Sequence, residues 1–192
     1  THRLPMMGNS ILGIDIEGQP VPASGQRISV VYRMITPDYF SVMGIPIVQG
    51  RTFDSRDPQL DAGVVINRRM AARLWPGENP VGKRIRSGPQ SPWLSVVGVA
   101  ADTKDNRLDT DGPIAMYRPY SSDPFPSMTF VVHSAEPTAV AGAIREEIRK
   151  LDPDLGITGM TPLADVVAAS IGERSFTAGL LGVFAGMALL LV

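Results

Sequence analysis

Apolar and polar residues alternate over 28–36, ISVVYRMIT, where Ile28, Val30, Tyr32 and Met34 share one face, so the segment reads as a strand rich in β-branched residues. The same period of two, bounded by Gly, Pro, Asn and Asp, predicts strands at 44–48, 63–66, 83–86, 93–102 and 114–120. Two more are predicted at 127–134 and 155–160. Residues 1–27 hold scattered Gly, Pro, Ser and Gln, carry no secretion signal and read as irregular chain that begins mid-protein.

The period lengthens to that of a helix in two places. Over 66–75, Ile66, Met70 and Leu74 recur four apart, with Arg68, Arg69 and Arg73 off that face, and a helix is read over 67–75. Over 137–151, PTAVAGAIREEIRKL, a Pro suits the first turn, and Val140, Ala141, Ile144, Ile148 and Leu151 form one stripe expected to pack on a sheet. Glu146 is placed to pair with Lys150. Strand, helix and strand over 127–160 have the length of one α+β unit. A further helix starts near Pro162, carries Val166, Val167 and Ile171, and can run unbroken into the tail.

That tail, SFTAGLLGVFAGMALLLV at 175–192, is 18 residues without a charge. Its length is at the lower edge for a transmembrane helix, and no polar face recurs at helical spacing as an amphipathic core helix needs. It is read as the start of a membrane span cut by the end of the chain. Ala178, Gly182 and Gly186 form a stripe of small residues that would let another helix approach closely.

The chain has 192 residues, enough for one ordinary domain or two small ones, and a formal net charge of -1. With no basic arm interleaved with aromatics, nucleic acid is not an expected partner. The absence of cysteine excludes disulfides and thiolate metal sites. Only His2 and His133 could offer imidazole, and neither has a second ligand at useful spacing, so no metal site is expected.

The stretch GENPVGK at 77–83 imitates a phosphate-binding loop, but a helix precedes it where a strand should, Pro80 removes a donor, and Arg84 stands where a Mg²⁺-binding hydroxyl belongs. It is read as a helix-ending turn before a short strand. RLDTDGPI at 107–114 imitates part of a Ca²⁺ loop, with Arg107 and Arg118 inverting the required charge. Asp54, Asp57 and Asp61 lie near Arg51 and Arg56 and suit ion pairs and caps, and Ser122, Ser134 and Ser170 sit in no nucleophile motif. No catalytic, cofactor-binding or metal residue is therefore assigned. Six cations, Arg68, Arg69, Arg73, Lys83, Arg84 and Arg86, face one acid, Glu78, between 68 and 86; if brought to one side they could bind an acidic partner or lipid headgroups.

TPDYFSVMGIPIVQGRTFDSRD at 36–57 resembles the signature of the MacB-like periplasmic core domain: T-P-x-Y-F, then G-I-P, then G-R-x-F and a closing Asp. VVINRRMAARLWPGENPVGKRI, VVGVAAD, the amphipathic helix ending in KLDPDL and a helix entering the membrane follow in family order, so the likeness covers 28–192. The resemblance implies an α+β fold, a porter-like α/β sandwich (1–36 with 106–174), a smaller inserted α/β subdomain (37–105), and 175–192 as the start of a transmembrane helix. It implies the extracytoplasmic domain of a non-catalytic ABC transporter permease of the MacB/FtsX type, in the bacterial inner membrane, relaying ATP-driven change for export or mechanotransmission. The spacing looks closest to the orphan permeases of soil bacteria. Implied partners are an ABC ATPase subunit, a second permease copy in a dimer and the membrane, and the likeness admits a periplasmic adaptor; no cofactor is implied. The competing readings are a membrane-anchored hydrolase or binding domain, and a scaffold regulating a cell-envelope enzyme.

Overall fold

The computed structural model describes residues 1, 8–21, 26–54, 56, 60–103, 112–122, 127–157 and 159–165. It divides into two compact units, Thr1–Val132 and His133–Val192.

The first unit is built on seven strands: β1 (Ser10–Ile16), β2 (Ile28–Ile35), β3 (Ile47–Gly50), β4 (Gly63–Asn67), β5 (Arg84–Arg86), β6 (Leu94–Ala100) and β7 (Ala115–Pro119). Their order is β3-β6-β4-β7-β2-β1-β5, and β5 pairs again with β6. Six strands therefore form a closed circuit of hydrogen bonds, with β3 appended to the edge of β6, an arrangement that leaves few backbone groups open. Strand β4 lies between a parallel neighbour, β6, and an antiparallel one, β7, and all five of its residues are buried. Its run GVVI is apolar without interruption because both its faces meet protein.

Alternation along the strands sorts side chains into two cores. Ile14, Val30, Val64, Ile66, Leu94, Val96 and Met116 join the first, closed by Met70 and Leu74 of α2 (Arg68–Leu74) and by Trp75 just after it. Val31, Ile35, Val65, Ala115 and Tyr117 join the second, closed by Tyr39 and Phe40 of α1 (Tyr39–Val42) with Ile45 and Phe53. Each large apolar side chain buried in this way contributes about 1.5–3 kcal/mol.

The segment that resembles the family signature supplies the second core. The Tyr39 and Phe40 rings stack edge to face at 5.6 Å, and Phe40 meets Tyr117 at 5.0 Å in the same manner. Gly44 takes a left-handed φ of 64° to end α1, and the Ile45 N–H donates to the Phe40 carbonyl at 2.8 Å, turning Ile45 inward. The signature is thus made of packing and turn residues.

Irregularities in the pairing of β6 with β4 and with β3 meet around Gly98. The shift moves the core-facing set from Leu94 and Val96 to Val99. A Cβ at Gly98 would lie 2.1 Å from the Arg51 carbonyl oxygen, and the Arg51 N–H donates to Val97 O at 3.0 Å. Backbone meets backbone there, so no rotamer relieves the clash. Gly98→Ala is expected to cost about 2–3 kcal/mol and to detach β3, read as a lower urea midpoint and faster amide exchange over 47–51; an unchanged midpoint would contradict the close approach.

One buried ion cluster ties the circuit together. Asp15, across from Arg86 in the β1–β5 ladder, pairs with Arg86 at 3.1 Å and with Arg27 at 2.9 Å, and the Arg86 guanidinium lies 4.6 Å from the centre of the Trp93 ring. Arg33, also buried, donates to the Asn9 side chain at 2.9 Å.

The second unit contains α3 (Pro137–Leu151), with a Pro in its first turn as expected. Lys150 pairs with Glu147 at 2.7 Å rather than with Glu146, choosing the i,i+3 neighbour over the i,i+4 one. The expected strands at 127–134 and 155–160 do not form among the described residues. An alternating pattern becomes a strand only when a neighbour accepts its ladder, and the described backbone bond in the first of these segments runs from the Thr129 N–H to Thr1 O. The expected α+β unit over 127–160 is therefore absent from the described residues, and among the described residues of its own unit α3 has no strand to pack on.

Strand β1 is an element the sequence reading passed over, and β3 starts at Ile47 rather than at 44, after α1 and its turn. Residues 163–165 are helical, as expected after Pro162. Among the described residues no helix is long and apolar enough to cross a membrane, and the apolar tail 175–192 lies outside them.

Candidate functional site

Helix α2 organises the polar chemistry of the first unit. Asn67, 1% exposed, ends β4 in an extended conformation and caps the helix: its Oδ1 accepts from the Met70 N–H at 3.0 Å. The same oxygen accepts from the Ala115 N–H at 2.9 Å, and its Nδ2 donates to Pro113 O at 2.9 Å. Asp102, just past β6, accepts from the Arg69 N–H at 2.9 Å and satisfies a second donor of the first turn. One end of α2 is thus fixed to β7 and to the exit of β6 at once.

Beside it lies an open groove of about 730 Å³, lined by Arg68, Arg69, Ala72, Arg73, Asp102, Gly112, Pro113 and Ile114. The six cations singled out in the sequence do not gather on one side. Lys83 pairs with Glu78 at 2.7 Å, Arg84 pairs with Glu17, and Arg86 belongs to the Asp15 cluster. The hydrogen bond and charge of Glu17 raise the Arg84 guanidinium above its ordinary pKa. Only the three arginines of α2 line the groove. The sequence could place them off the apolar face of a helix, but which strand ends would face them is set by the closure of the sheet.

The remaining sequence candidates have structural explanations where they are described. Residues 77–83 form the expected turn between α2 and β5, with left-handed φ values of 77° at Gly77 and 91° at Gly82. The Val81 N–H donates to the Asn79 side chain, Gly82 to Val96 O and Lys83 to Pro80 O, so these donors are spent inside the fold. Asp54 holds Arg56 through both carboxylate oxygens, and this hydrogen bonding keeps its carboxyl below the usual aspartate range. Asp61 instead accepts from Ser122 at 2.8 Å, and Ser134 accepts from the Glu136 N–H at 3.1 Å. His133 is exposed. Asp57, Ser170 and residues 107–111 of the Ca²⁺-loop imitation lie outside the described residues.

Asn67 and Asp15 escaped the sequence reading as functional positions. An Asn directly before the first helical residue is the usual cap signal, and the periodicity placed it one residue inside the helix instead. Asp15 carried no signal without β1.

Comparison with known proteins identifies the class. The family model of the MacB-like periplasmic core domain matches residues 11–151, and the chain belongs to that family. No curated protein matches significantly. Among solved structures, the periplasmic region of MacB from Actinobacillus actinomycetemcomitans is similar at 20% identity and a TM-score of 0.52, over 74% of this chain and 64% of that one. The extracellular domain of the noncanonic ABC-type transporter YknZ from Gram-positive bacteria aligns at 20% identity and a TM-score of 0.46, over 69% of each chain. The mixed α/β fold is that of the MacB periplasmic domain, and the chain spans about two thirds of that structure's length.

Proposed function

We propose that this domain is the extracytoplasmic part of an ABC transporter permease subunit, and that it works by shape and motion, relaying ATP-driven conformational change for export or mechanotransmission. The observation that carries the reading is the family match over 11–151. A second supports it: the residues resembling the family signature serve the core and turns. The helix entered at 163–165 would continue through 175–192 into the bacterial inner membrane, with a separate ABC ATPase on the cytoplasmic side, a second permease copy beside it and a periplasmic adaptor as a further partner.

In this reading residues 1–36 and 106–174 form the porter-like part and 37–105 the inserted one. The parallel β2–β7 pair brings Ala115–Pro119 back beside Val31–Ile35 at the two ends of the proposed insertion. Strands β3 to β6 of the excursion join the same sheet.

These 192 residues hold no cysteine, so one introduced here can be read against the unsubstituted full-length protein as background. Gln90 is exposed in the loop between β5 and β6. Gln90→Cys in the natural full-length protein is expected to react with a membrane-impermeant maleimide in intact spheroplasts. Labelling only after permeabilisation would put the domain in the cytoplasm and end the proposal.

A further inference from the structure

Strand β5 is the shortest in the circuit, three residues long, and its two junctions are held differently. Toward β6 the pairing of Arg84 with Ser95 and of Ile85 with Leu94 is prolonged by Val96, whose N–H donates to Lys83 O at 2.9 Å and whose carbonyl accepts from the Gly82 N–H at 2.8 Å. Toward β1 the register covers Asp15 with Arg86 and Ile16 with Ile85, and one further bond runs from the Glu17 N–H to Arg84 O at 3.1 Å. Elsewhere in the circuit the β6–β4, β7–β2 and β2–β1 junctions each register five residues, and the shorter β4–β7 junction is tied by Asn67 to Pro113 O and to the Ala115 N–H.

The β1–β5 seam makes up in charge for what it lacks in length. Glu17 pairs with Arg84 and Asp15 with Arg86, two residues apart along each strand and so on one face, while Ile16 and Ile85 between them belong to the first core on the other. Both members of the inner pair have a second partner on their own side of the seam. Asp15 has Arg27, just before β2, at 2.9 Å; Arg86 has Pro89 O at 3.1 Å and the Trp93 ring, both in the loop from β5 to β6. Breaking a buried ion pair is costly when it leaves a lone charge, and parting these two strands leaves none. The outer pair, Glu17 with Arg84, is partly exposed and passes to water. After such a parting β1 still has its ladder with β2, and β5 its hairpin with β6.

We propose that the β1–β5 seam is an ion-clasped closure that opens on its own, turning the closed circuit into an open sheet while β4 and its neighbours stay packed. Two cross-strand ion pairs on one face and the apolar pair Ile16 and Ile85 on the other hold it shut. The closure follows from the sheet alone and holds whether or not the domain serves transport.

The test reads thiol reactivity at two fully buried positions of the same core, Ile85 in the seam and Val64 in β4. Ile85→Cys and Val64→Cys, each in the natural full-length protein in detergent, are followed for reaction with a maleimide under native conditions, against the unsubstituted protein as background. Ile85→Cys should react about tenfold or more faster than Val64→Cys, since local opening needs less than opening of the whole fold. Adding Arg86→Gln should speed Ile85→Cys about tenfold further, the worth of one charge-assisted hydrogen bond. Arg84→Gln, at the exposed pair, should speed it about threefold, and it decides the point if Arg86→Gln does not fold. Asn67→Ser is the control: it weakens α2, β4 and β7, whose contacts survive an open seam, so it should speed Val64→Cys and leave Ile85→Cys unchanged within about twofold. If Ile85→Cys does not fold, Ile16→Cys, across the seam, is read in its place. Equal reactivity at the two positions, or acceleration of both alike by Asn67→Ser, would show that the sheet opens only as a whole. Fast reaction at Ile85→Cys that neither arginine replacement changes would show that the ion pairs do not hold the seam. Each of these results overturns the proposal.

Discussion

Asn67→Leu is expected to destabilise the first unit by about 3–5 kcal/mol. The substitution keeps the branched heavy-atom outline and removes three hydrogen bonds, leaving the Met70 and Ala115 N–H groups and the Pro113 carbonyl without their partner. Each buried polar group stranded in this way costs about 1–3 kcal/mol, more than the bond itself contributed, because it left water on folding and regains nothing. The three bonds also belong to different elements: α2 loses its cap, while β7 loses the contact that positions its first residue beside β4. Asn67→Ser separates the two effects. A serine can still accept from the helix but cannot span to Pro113 and Ala115, so its loss should fall between leucine and wild type. Urea denaturation measures both, and a loss under about 1 kcal/mol for the leucine variant would show that water or rearrangement replaces the hub.

Replacing residues 172–175, GERS, by a longer Gly/Ser linker in the full permease with its ATPase is expected to abolish transport while leaving ATP hydrolysis largely intact. This rests on the proposed function. From 163 to the end of the chain there is no proline, and Gly172 is the one glycine before the apolar run, so a single helix can pass from domain to membrane. A continuous helix carries displacement because its backbone hydrogen bonds make it stiff, whereas a Gly/Ser coil absorbs it. Inserting two whole helical turns at the same place is the control, and it should preserve more function because it keeps both stiffness and facing. Transport at the wild-type rate through the flexible linker would mean that the domain is not driven through this helix, and the tethered-binding and scaffold readings would then lead.

Where a segment's neighbours are implied by its own pattern, the sequence and the structure agree. The ISVVYRMIT alternation became β2, the Met70–Leu74 spacing became α2, and the PTAVAGAIREEIRKL stripe became α3 with the expected bounds. Strand β1 was missed because the glycines and prolines around SILGIDI dominated the local reading, although Leu12, Ile14 and Ile16 alternate. The opposite error occurred at 127–134, where good alternation found no ladder among the described residues. The candidate site was half legible: helical spacing put three arginines off the apolar face, but nothing local paired Lys83 with Glu78, Arg84 with Glu17 or Arg86 with Asp15.

By itself the sequence determined the family, through several short blocks in order, because turns, caps and buried aromatics such as Gly44, Tyr39 and Phe40 leave a local residue signature wherever the backbone needs them. It also determined that 77–83 is a turn, since Pro80 and the preceding helix are local facts. Only the tertiary structure decided which cations are neutralised and which remain beside the groove. Glu17 and Arg84 are 67 positions apart, and Asp15 and Arg86 are 71 apart. Charges so distant along the chain meet only when β5 closes the sheet between β1 and β6, and no spacing rule reaches across that closure.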